Sequence, residues 1–270
     1  MGTQLEKCER FLALHHGDTP LLLPNAWDRG TAKLFEFMGF AAVATTSAGH
    51  AATFGRLDGA VTLEEIVEHA AVLAAAVDIP VSVDFENGFA DDPAGVGGNV
   101  SRIAATGAAG VSVEDFTRRP DEPIYDLAVA AARVEAAAEA AHGAGPRLVL
   151  TARAENHLHG RPDLGDTIAR LQAYQAAGAA VLYAPGLQGI DDIRTVVSSV
   201  DRPVNVLALP NVAPVAELAS AGVSRVSVGG AFSRVALGAT IDAAREFLER
   251  GTYGYWRVAG SAAPVRDAFG

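Results

Sequence analysis

Eight short apolar runs, each followed by a segment of helical character, constrain the fold of this chain more than any other feature. The runs occupy residues 21–27, 41–47, 81–85, 110–114, 148–155, 180–184, 204–208 and 225–228. Glycines at 39, 107, 178 and 222 each stand just before a run, where the C-terminal end of a helix is expected. Strands and helices that alternate in this way pair in parallel through right-handed crossovers.

Eight such units fit a closed (β/α)8 barrel of the TIM type. An open doubly wound sheet is the alternative, but its first turn is normally glycine-rich, whereas the first turn here reads Asn-Ala-Trp-Asp at 25–28. The 270 residues, half of them hydrophobic, are enough for one such core. We therefore predict a single barrel domain over residues 1–270, with a helical tail from about residue 251 onwards.

The charge balance and the ends of the chain limit the partners. A net charge of −11 argues against nucleic acid or an anionic membrane as a partner. Residues 1–16 lack the apolar core of a signal peptide, and no apolar run is long enough to span a bilayer. The single cysteine, Cys8, excludes an intrachain disulfide and fits a reducing compartment. We expect a cytoplasmic protein.

Acidic side chains follow two neighbouring runs where each strand is predicted to end. Asp84 and Glu86 are two residues apart, so their side chains lean to the same side, and Glu114 closes the next run. Carboxylates held close together repel one another unless a cation compensates them. Oxygen ligands without histidine suit Mg²⁺ or Mn²⁺, so a divalent-metal site is predicted here. The alternative is a structural network in which these acids pair with Arg153 and neighbouring arginines.

Basic groups near the same ends are few. Arg153 closes the fifth run, and its planar guanidinium suits a substrate carboxylate or a developing enolate as well as a salt bridge to Glu114 or Glu155. His157 and His159 follow it in a loop, either as general acids or as exposed polar residues. The only lysines, at 7 and 33, lie outside the strand ends, which argues against a Schiff-base mechanism.

Six motifs follow one another along the chain. They are Leu-Pro-Asn-Ala-Trp-Asp at 23–28, Thr-Thr-Ser-Ala-Gly at 45–49, Val-Asp-Phe-Glu-Asn-Gly at 83–88, Val-Glu-Asp at 113–115, Ala-Arg-Ala-Glu at 152–155, and the segment 163–186. In this order they resemble the isocitrate lyase and phosphoenolpyruvate mutase superfamily. The resemblance implies a barrel whose eighth helix is exchanged between subunits, so a dimer or tetramer is expected. It also implies Mg²⁺ (or Mn²⁺) and a small 2-oxo or 2-hydroxy acid, in which a C–C or C–P bond is made or broken beside an enolate.

The resemblance also implies roles for individual residues. Asp84 is expected to bind the metal directly, and Glu86, Glu114 and Asp58 through water. Arg153 is expected to hold the charge of the substrate, with Glu114 as a second catalytic candidate. The substrate-binding candidates are Asn25, Trp27, Thr45, Thr46, Ser47 and Arg153.

The loop after the fourth run departs from the pattern of the superfamily. Residues 116–125 contain no cysteine, lysine or histidine. They therefore match neither the Lys-Lys-Cys-Gly-His-like signature of isocitrate and methylisocitrate lyases nor the Lys-Thr-Asn-Ser-like gate of phosphonopyruvate enzymes. Glu86 also stands at a position where members of the superfamily more commonly have aspartate.

Three hypotheses follow for the function. The first is a Mg²⁺-dependent lyase or decarboxylase that cleaves a C–C bond in a small 2-oxo or 2-hydroxy acid through an enolate. The second is a mutase or hydrolase of the phosphonopyruvate type. The third is a ligand-binding barrel without catalysis.

Overall fold

The computed structural model describes residues 2–143, 145–260 and 263–270. Within them, one parallel sheet contains nine short strands. The strands are β1 (Leu21–Leu23), β2 (Asn25–Ala26), β3 (Val43–Thr45), β4 (Val81–Asp84), β5 (Gly110–Glu114), β6 (Val149–Arg153), β7 (Val181–Tyr183), β8 (Val204–Leu207) and β9 (Arg225–Ser227).

The nine strands close into an eight-stranded barrel because β1 and β2 are two parts of one strand. β1 pairs with β9 and β2 pairs with β3, so the two ends of the sheet meet on either side of Pro24. Proline has no backbone N–H and interrupts the ladder, although the Pro24 carbonyl still accepts a hydrogen bond from the amide of Ala44 at 2.9 Å. The (β/α)8 prediction is confirmed, while the predicted first strand over 21–27 is divided.

The helices are α1 (Gln4–Leu14), α2 (Arg29–Phe37), α3 (Ser47–Thr53), α4 (Leu63–Ala76), α5 (Pro93–Ala104), α6 (Leu127–Ala141), α7 (Leu164–Ala176), α8 (Ile190–Ser198), α9 (Val215–Ser220), α10 (Ala231–Arg250) and α11 (Ala263–Phe269). Helices α2 to α9 connect consecutive strands, while α1 precedes β1 and α10 and α11 follow β9. The four predicted capping glycines all have positive φ, between 84° and 102°, a range in which side chains are disfavoured. None of the helices in the described ranges has the length and apolar character needed to cross a bilayer.

Helix α1 closes the N-terminal end of the barrel. Cys8 and Phe11 are buried in one apolar cluster with residues of β1 and neighbouring strands, and Lys7 Nζ donates to the carbonyl of Val77 at 2.7 Å. The opposite end carries the loops that follow the strands. The barrel can therefore be entered by a ligand from its carboxyl end, as is usual for this fold.

One segment differs from what its sequence favours. The polar, glycine-containing stretch 49–59 favours a loop, but α3 extends from Ser47 to Thr53, with the Thr46 hydroxyl accepting the amide of Gly49 as its N-cap. The tail after α10 contains a 3₁₀ turn at Gly254–Arg257 and helix α11. Helix α11 packs on α2, where the Phe269 ring reaches Gly30.

Helix α10 is the eighth barrel helix, yet it buries little of its surface. Ser233 is its one buried residue. Val235, Ile241, Phe247 and Leu248 on this helix are between 55% and 86% exposed. An apolar surface of this kind is typical of a helix that packs against another chain.

Candidate active site

Two adjoining cavities open at the carboxyl ends of the strands. The inner cavity, of about 160 Å³, continues down the barrel axis, and the outer cavity, of about 610 Å³, lies under the loop after β5. Ser47, Asp58, Arg153 and Leu158 line both. The residues predicted to carry function therefore lie mainly around one continuous space.

Arg153, at the end of β6, is the centre of the charged network. Its Nη1 lies 2.7 Å from Asp84 Oδ1, and its Nη2 lies 3.0 Å from Glu114 Oε2 and 2.7 Å from Glu155 Oε1. The parallel register places Arg153 directly beside Glu114 on β5, which explains the second pair. One guanidinium thus faces three carboxylates, and the cluster carries excess negative charge when all are ionised.

The pKa values in this cluster reflect that imbalance. Burial, reinforced by repulsion from Glu155 and Asp84, raises the pKa of Glu114 well above its ordinary value despite the attraction of Arg153. Burial likewise raises the pKa of Glu155. Burial disfavours the charged form of Arg153, but Glu155, Glu114 and Asp84 outweigh this and raise its pKa, so it stays a cation.

Asp84 is also held by the start of α3. Its Oδ2 accepts hydrogen bonds from the backbone amide of Ser47 at 2.9 Å and from the Ser47 hydroxyl at 3.0 Å. The same hydroxyl lies 3.0 Å from Asp58 Oδ1. Ser47 therefore connects two of the predicted metal ligands, and the unpredicted helix α3 is what brings its backbone amide to Asp84.

Glu86 lies on the other side of the outer cavity, where it forms an ion pair with Arg118. Its second oxygen, Oε1, is buried and accepts no hydrogen bond from the described part of the chain. Arg118 Nη1 also donates to the carbonyl of Gly59 at 3.0 Å, so the loop after β5 contacts the loop that carries Asp58. Glu86 and Arg118 have φ of 47° and 63°, a conformation that costs energy in residues other than glycine and is common at functional sites.

A buried network behind the cavities supports the rim. Asp115 accepts hydrogen bonds from the amide of Glu155 at 2.8 Å, from Arg170 at 3.1 Å and from the Tyr174 hydroxyl at 2.5 Å. Because the Glu155 carboxylate contacts Arg153, this network fixes the backbone from which the charged cluster extends.

Five of the six predicted substrate-binding residues line the inner cavity, and the sixth, Trp27, does not. The Thr45 hydroxyl accepts the amide of Asp84 at 2.8 Å, and the Thr46 hydroxyl caps α3. Asn25 receives two amides from residues 228–229 and donates to Thr45, so it ties the barrel closed while still lining the inner cavity. Trp27 lines neither cavity and packs against Gly49 of α3.

The two loop histidines differ. His159 lines the outer cavity, stacks on Phe116 at 3.7 Å between ring centroids, and has its Nε2 3.7 Å from Glu155 Oε2. Burial and then the positive charge of Arg153 lower the pKa of His159, which favours its neutral form. His157 packs against Gly186, outside both cavities.

Two arginines of the site were not identified from the sequence. Arg118 had no assigned role because its position depends on the fold of a long loop. Arg225 is buried inside the barrel and lines the inner cavity. Arg225 could have been identified from the sequence, because it is a charged residue in an apolar strand. It lies two positions before Ser227, so both side chains point to the same face of the sheet.

The fold and this rim define an α/β-barrel enzyme that acts on small molecules at the carboxyl ends of its strands. Residues 11–248 match the model of the phosphoenolpyruvate phosphomutase family, so the chain belongs to that family and to the wider superfamily of isocitrate lyases. The comparisons thus confirm the resemblance and favour an enzyme over a barrel without catalysis.

Individual similarities extend over most of the chain. A solved structure from Burkholderia cenocepacia J2315, described as a candidate lyase or mutase, has 45% identity and a TM-score of 0.95, covering 98% of this chain and 96% of that one. The oxaloacetate decarboxylase of Paraburkholderia xenovorans is 31% identical over 82% of this chain and 75% of its own length. Phosphonopyruvate hydrolase in complex with oxalate and Mg²⁺ shares the fold, with 22% identity and a TM-score of 0.85 over 99% of this chain and 95% of that one.

Proposed function

We propose that this enzyme is a Mg²⁺-dependent lyase or decarboxylase that cleaves a C–C bond in a small 2-oxo or 2-hydroxy acid through an enolate. The observation that carries the proposal is the rim itself, where Arg153 faces Asp84, Glu114 and Glu155 at the mouth of a small cavity. The similarity to an oxaloacetate decarboxylase supports the same class of reaction.

The residues of the rim fit a hard divalent cation. Asp84, Asp58, Glu86 and Glu114 supply oxygen donors only, and Glu86 Oε1 is a buried oxygen without a hydrogen-bond partner among the described residues. No three acidic, histidine or cysteine side chains in the described ranges are close enough together to hold an ion by themselves. This sparse arrangement suits Mg²⁺, which usually keeps several waters, with Asp84 as direct ligand and the other acids acting through water.

Bound Mg²⁺ would act as a Lewis acid that stabilises negative charge on the oxygens of the substrate. Arg153 is the positive side chain beside that position, and its guanidinium stabilises the enolate that forms when the C–C bond breaks. Glu155 and Glu114 keep Arg153 protonated and oriented. Asn25 and Ser47 bound the inner cavity on the side of β2 and α3 and orient the acid there.

The loop after β5 does not choose between C–C and C–P cleavage. Arg118 lines the outer cavity and pairs with Glu86, so this loop presents an arginine in place of both the cysteine of the lyases and the gate of the phosphonopyruvate enzymes. The similarity to an oxaloacetate decarboxylase is what favours a cleaved bond between carbons. The proton that the enolate carbon requires comes from water that enters the outer cavity, which His159 borders.

An exchanged eighth helix completes the proposal. Helix α10 exposes Ile241, Phe247 and Leu248, which fits packing against a second copy of the chain in a dimer or tetramer.

An initial-rate screen tests the proposed reaction. Two-oxo and 2-hydroxy acids of four to seven carbons, with phosphonopyruvate alongside, are incubated with Mg²⁺ or with a chelator. We expect cleavage of at least one carboxylic acid with Mg²⁺, none with chelator, and none by Asp84→Ala. Glu64→Ala, which removes an acid that is 74% exposed on α4, is the matched control and retains activity. Turnover of phosphonopyruvate alone would overturn the proposal.

A further inference from the structure

Arg118 places a positive charge beside three of the four acids that were predicted as metal ligands. Its guanidinium forms an ion pair with Glu86, and the charges of Asp58 and Asp84 attract it. Burial lowers the pKa of the Arg118 guanidinium, but an arginine side chain stays protonated at neutral pH. The chain therefore supplies a cation of its own where the sequence predicts a divalent one.

Glu86 keeps one oxygen free although it is paired with Arg118. The residue is 4% exposed, and its Oε2 is the oxygen that faces the guanidinium. The other oxygen, Oε1, is buried and accepts no hydrogen bond from the part of the chain that the structure describes. A buried carboxylate oxygen is costly without a partner. Glu86 thus still offers one oxygen to a second cation or to the water that such a cation carries.

Two cations that share one carboxylate oppose each other. Mg²⁺ that draws on Glu86 through its water removes part of the negative charge that holds Arg118, and two positive charges kept close together also repel. This opposition is reciprocal, because the free energy by which Mg²⁺ weakens the Arg118 contact is the free energy by which Arg118 weakens Mg²⁺ binding. It acts even if the two cations use different oxygens of Glu86.

The ion pair is also held in a strained backbone arrangement. Glu86 and Arg118 have positive φ, 47° and 63°. Phe89, whose ring centroid lies 5.7 Å from Arg118 Cζ, has a φ of 55°. Residues other than glycine adopt this region at a cost, and the surrounding contacts must hold them there. A contact formed under strain is given up more easily when a doubly charged ion offers Glu86 a stronger partner.

The base of the loop after β5 is held by contacts of its own. Phe116 and Ile124 pair as an antiparallel bridge, and the amide of Thr117 donates to the carbonyl of Pro123 at 2.8 Å. These contacts use backbone groups and do not involve the guanidinium. The Arg118 side chain can therefore leave its partner, or be replaced, while the base of the loop stays paired.

We propose that Arg118 competes with Mg²⁺ for Glu86 and thereby sets the metal affinity of the site. Without metal, the guanidinium neutralises Glu86. When Mg²⁺ binds at Asp84, the guanidinium leaves Glu86 and becomes more exposed. The inference rests on the proposed function, because it takes the acids around Asp84 as the metal site. The site consequently binds Mg²⁺ more weakly than the same acids would without Arg118.

Arg119, the next residue of the same loop, is the matched control. Its side chain is 50% exposed and lies 3.8 Å from carboxylate oxygens of Asp91 and Glu122. It lines neither the inner nor the outer cavity. Replacing either arginine by glutamine removes one positive charge from the loop, but only the change at Arg118 frees Glu86.

Calorimetric titration with Mg²⁺ alone, without substrate, tests the competition. We expect Arg118→Gln to bind Mg²⁺ at least about tenfold more tightly than wild type, and Arg118→Lys and Arg119→Gln to bind it as wild type does. The double variant Glu86→Gln/Arg118→Gln should show no gain over wild type, because Glu86 then carries no charge for which a cation competes. Thermal unfolding without Mg²⁺ checks that each variant is folded.

Trypsin supplies a second measurement on the wild-type protein. The bond after Arg118 is a trypsin site, whereas the bond after Arg119 is not, because Pro120 follows it. Cleavage requires an arginine side chain that has left its partner, so its rate follows the population of the released state. We expect cleavage after Arg118 to be several-fold faster with Mg²⁺ than with a chelator, and this gain to be absent in Asp84→Ala. The masses of the products identify the bond.

The outcomes separate this inference from the proposed function. A Mg²⁺ affinity of folded Arg118→Gln that is equal to or weaker than that of wild type would overturn the inference and leave the function standing, and so would a tenfold gain in the double variant. Cleavage after Arg118 that Mg²⁺ slows or leaves unchanged would overturn the inference even if Arg118→Gln fails to fold. If neither wild type nor any variant binds Mg²⁺, the proposed function fails and the inference fails with it.

Discussion

Two arginines inside one barrel, Arg153 half-buried and Arg225 buried, have opposite surroundings. Arg153, at the rim, contacts three carboxylates, whereas Arg225, at the floor, contacts a histidine, an asparagine and a threonine. The rim therefore gathers three carboxylates around one guanidinium, whereas the floor holds a guanidinium among neutral groups. A buried charge without a counter-ion is costly, so the two arginines differ in what they contribute to stability.

The largest loss of activity is expected from replacing Asp84, the acid proposed to bind the metal directly. Asp84→Ala should lower kcat/KM by at least about 10³-fold, because several kcal/mol of metal-dependent stabilisation are lost. Glu64→Ala on the surface should change it less than about twofold. The rates are measured with the acid that the substrate screen identifies. Comparable losses in both variants would show that Asp84 has no special role.

Replacing the rim arginine by lysine tests geometry at constant charge. Arg153→Lys should lower kcat by about 10²–10³-fold, because an ammonium group cannot contact Asp84, Glu114 and Glu155 in the planar arrangement of a guanidinium. Arg133→Lys is the matched control and should retain kcat, since Arg133 lines neither cavity. A kcat that is unchanged in Arg153→Lys would mean that charge alone is required at the rim.

The network behind the rim should affect stability as well as rate. Asp115→Asn weakens the ion pair to Arg170, which is buried, and should reduce the free energy of unfolding by about 3 kcal/mol. Asp191→Asn removes an acid that is 91% exposed and should cost less than about 0.5 kcal/mol. Urea titrations of both variants measure the difference. Equal free energies of unfolding in the two variants would show that Asp115 does not stabilise the site.

A smaller change in stability is expected from a change in pH, and it arises at His69, which lies outside both cavities. Burial, followed by repulsion from His50, lowers the pKa of His69 to about 3. The folded state keeps this ring neutral, while the unfolded chain takes up a proton below pH 6.5. The associated stability is therefore present above pH 6.5 and is lost as the pH falls towards 3, by about 1.4 kcal/mol per unit for one histidine.

His69→Phe should reduce the slope of the free energy of unfolding against pH, and the reduction should correspond to close to one proton. Urea titrations between pH 7 and pH 5 measure this slope. The same titrations of the wild type supply the reference slope. A slope in His69→Phe identical to that of wild type would show that His69 is not responsible.

The contrast between Arg153 and Arg225 also separates the features that could be predicted from the sequence from those that could not. The barrel, the strand ends and the acids at 84, 86 and 114 followed from local patterns, because strand periodicity and capping glycines act over a few residues. The pairing of Arg153 with Glu114 followed from adjacent strands. These features need no knowledge of distant loops.

Other features depend on contacts between segments far apart in the chain. The pairing of Glu86 with Arg118 requires the conformation of the loop after β5, and the bond from Ser47 to Asp84 requires α3, which replaced an expected loop. The neutral surroundings of Arg225 require α1 to bring His15 beneath the barrel, 210 residues away in sequence. Sequence patterns therefore predicted the acids of the rim, but not the charge at the floor.

Oxalate binding measured by calorimetry with and without Mg²⁺ tests the central claim most directly, because oxalate presents the two adjacent oxygens of a 2-oxo acid without undergoing reaction. We predict that wild type binds oxalate at least about tenfold more tightly with Mg²⁺ than with a chelator, and that Asp84→Asn abolishes this difference. Oxalate binding that is independent of Mg²⁺ and unchanged in Asp84→Asn would contradict the account of a metal-dependent rim.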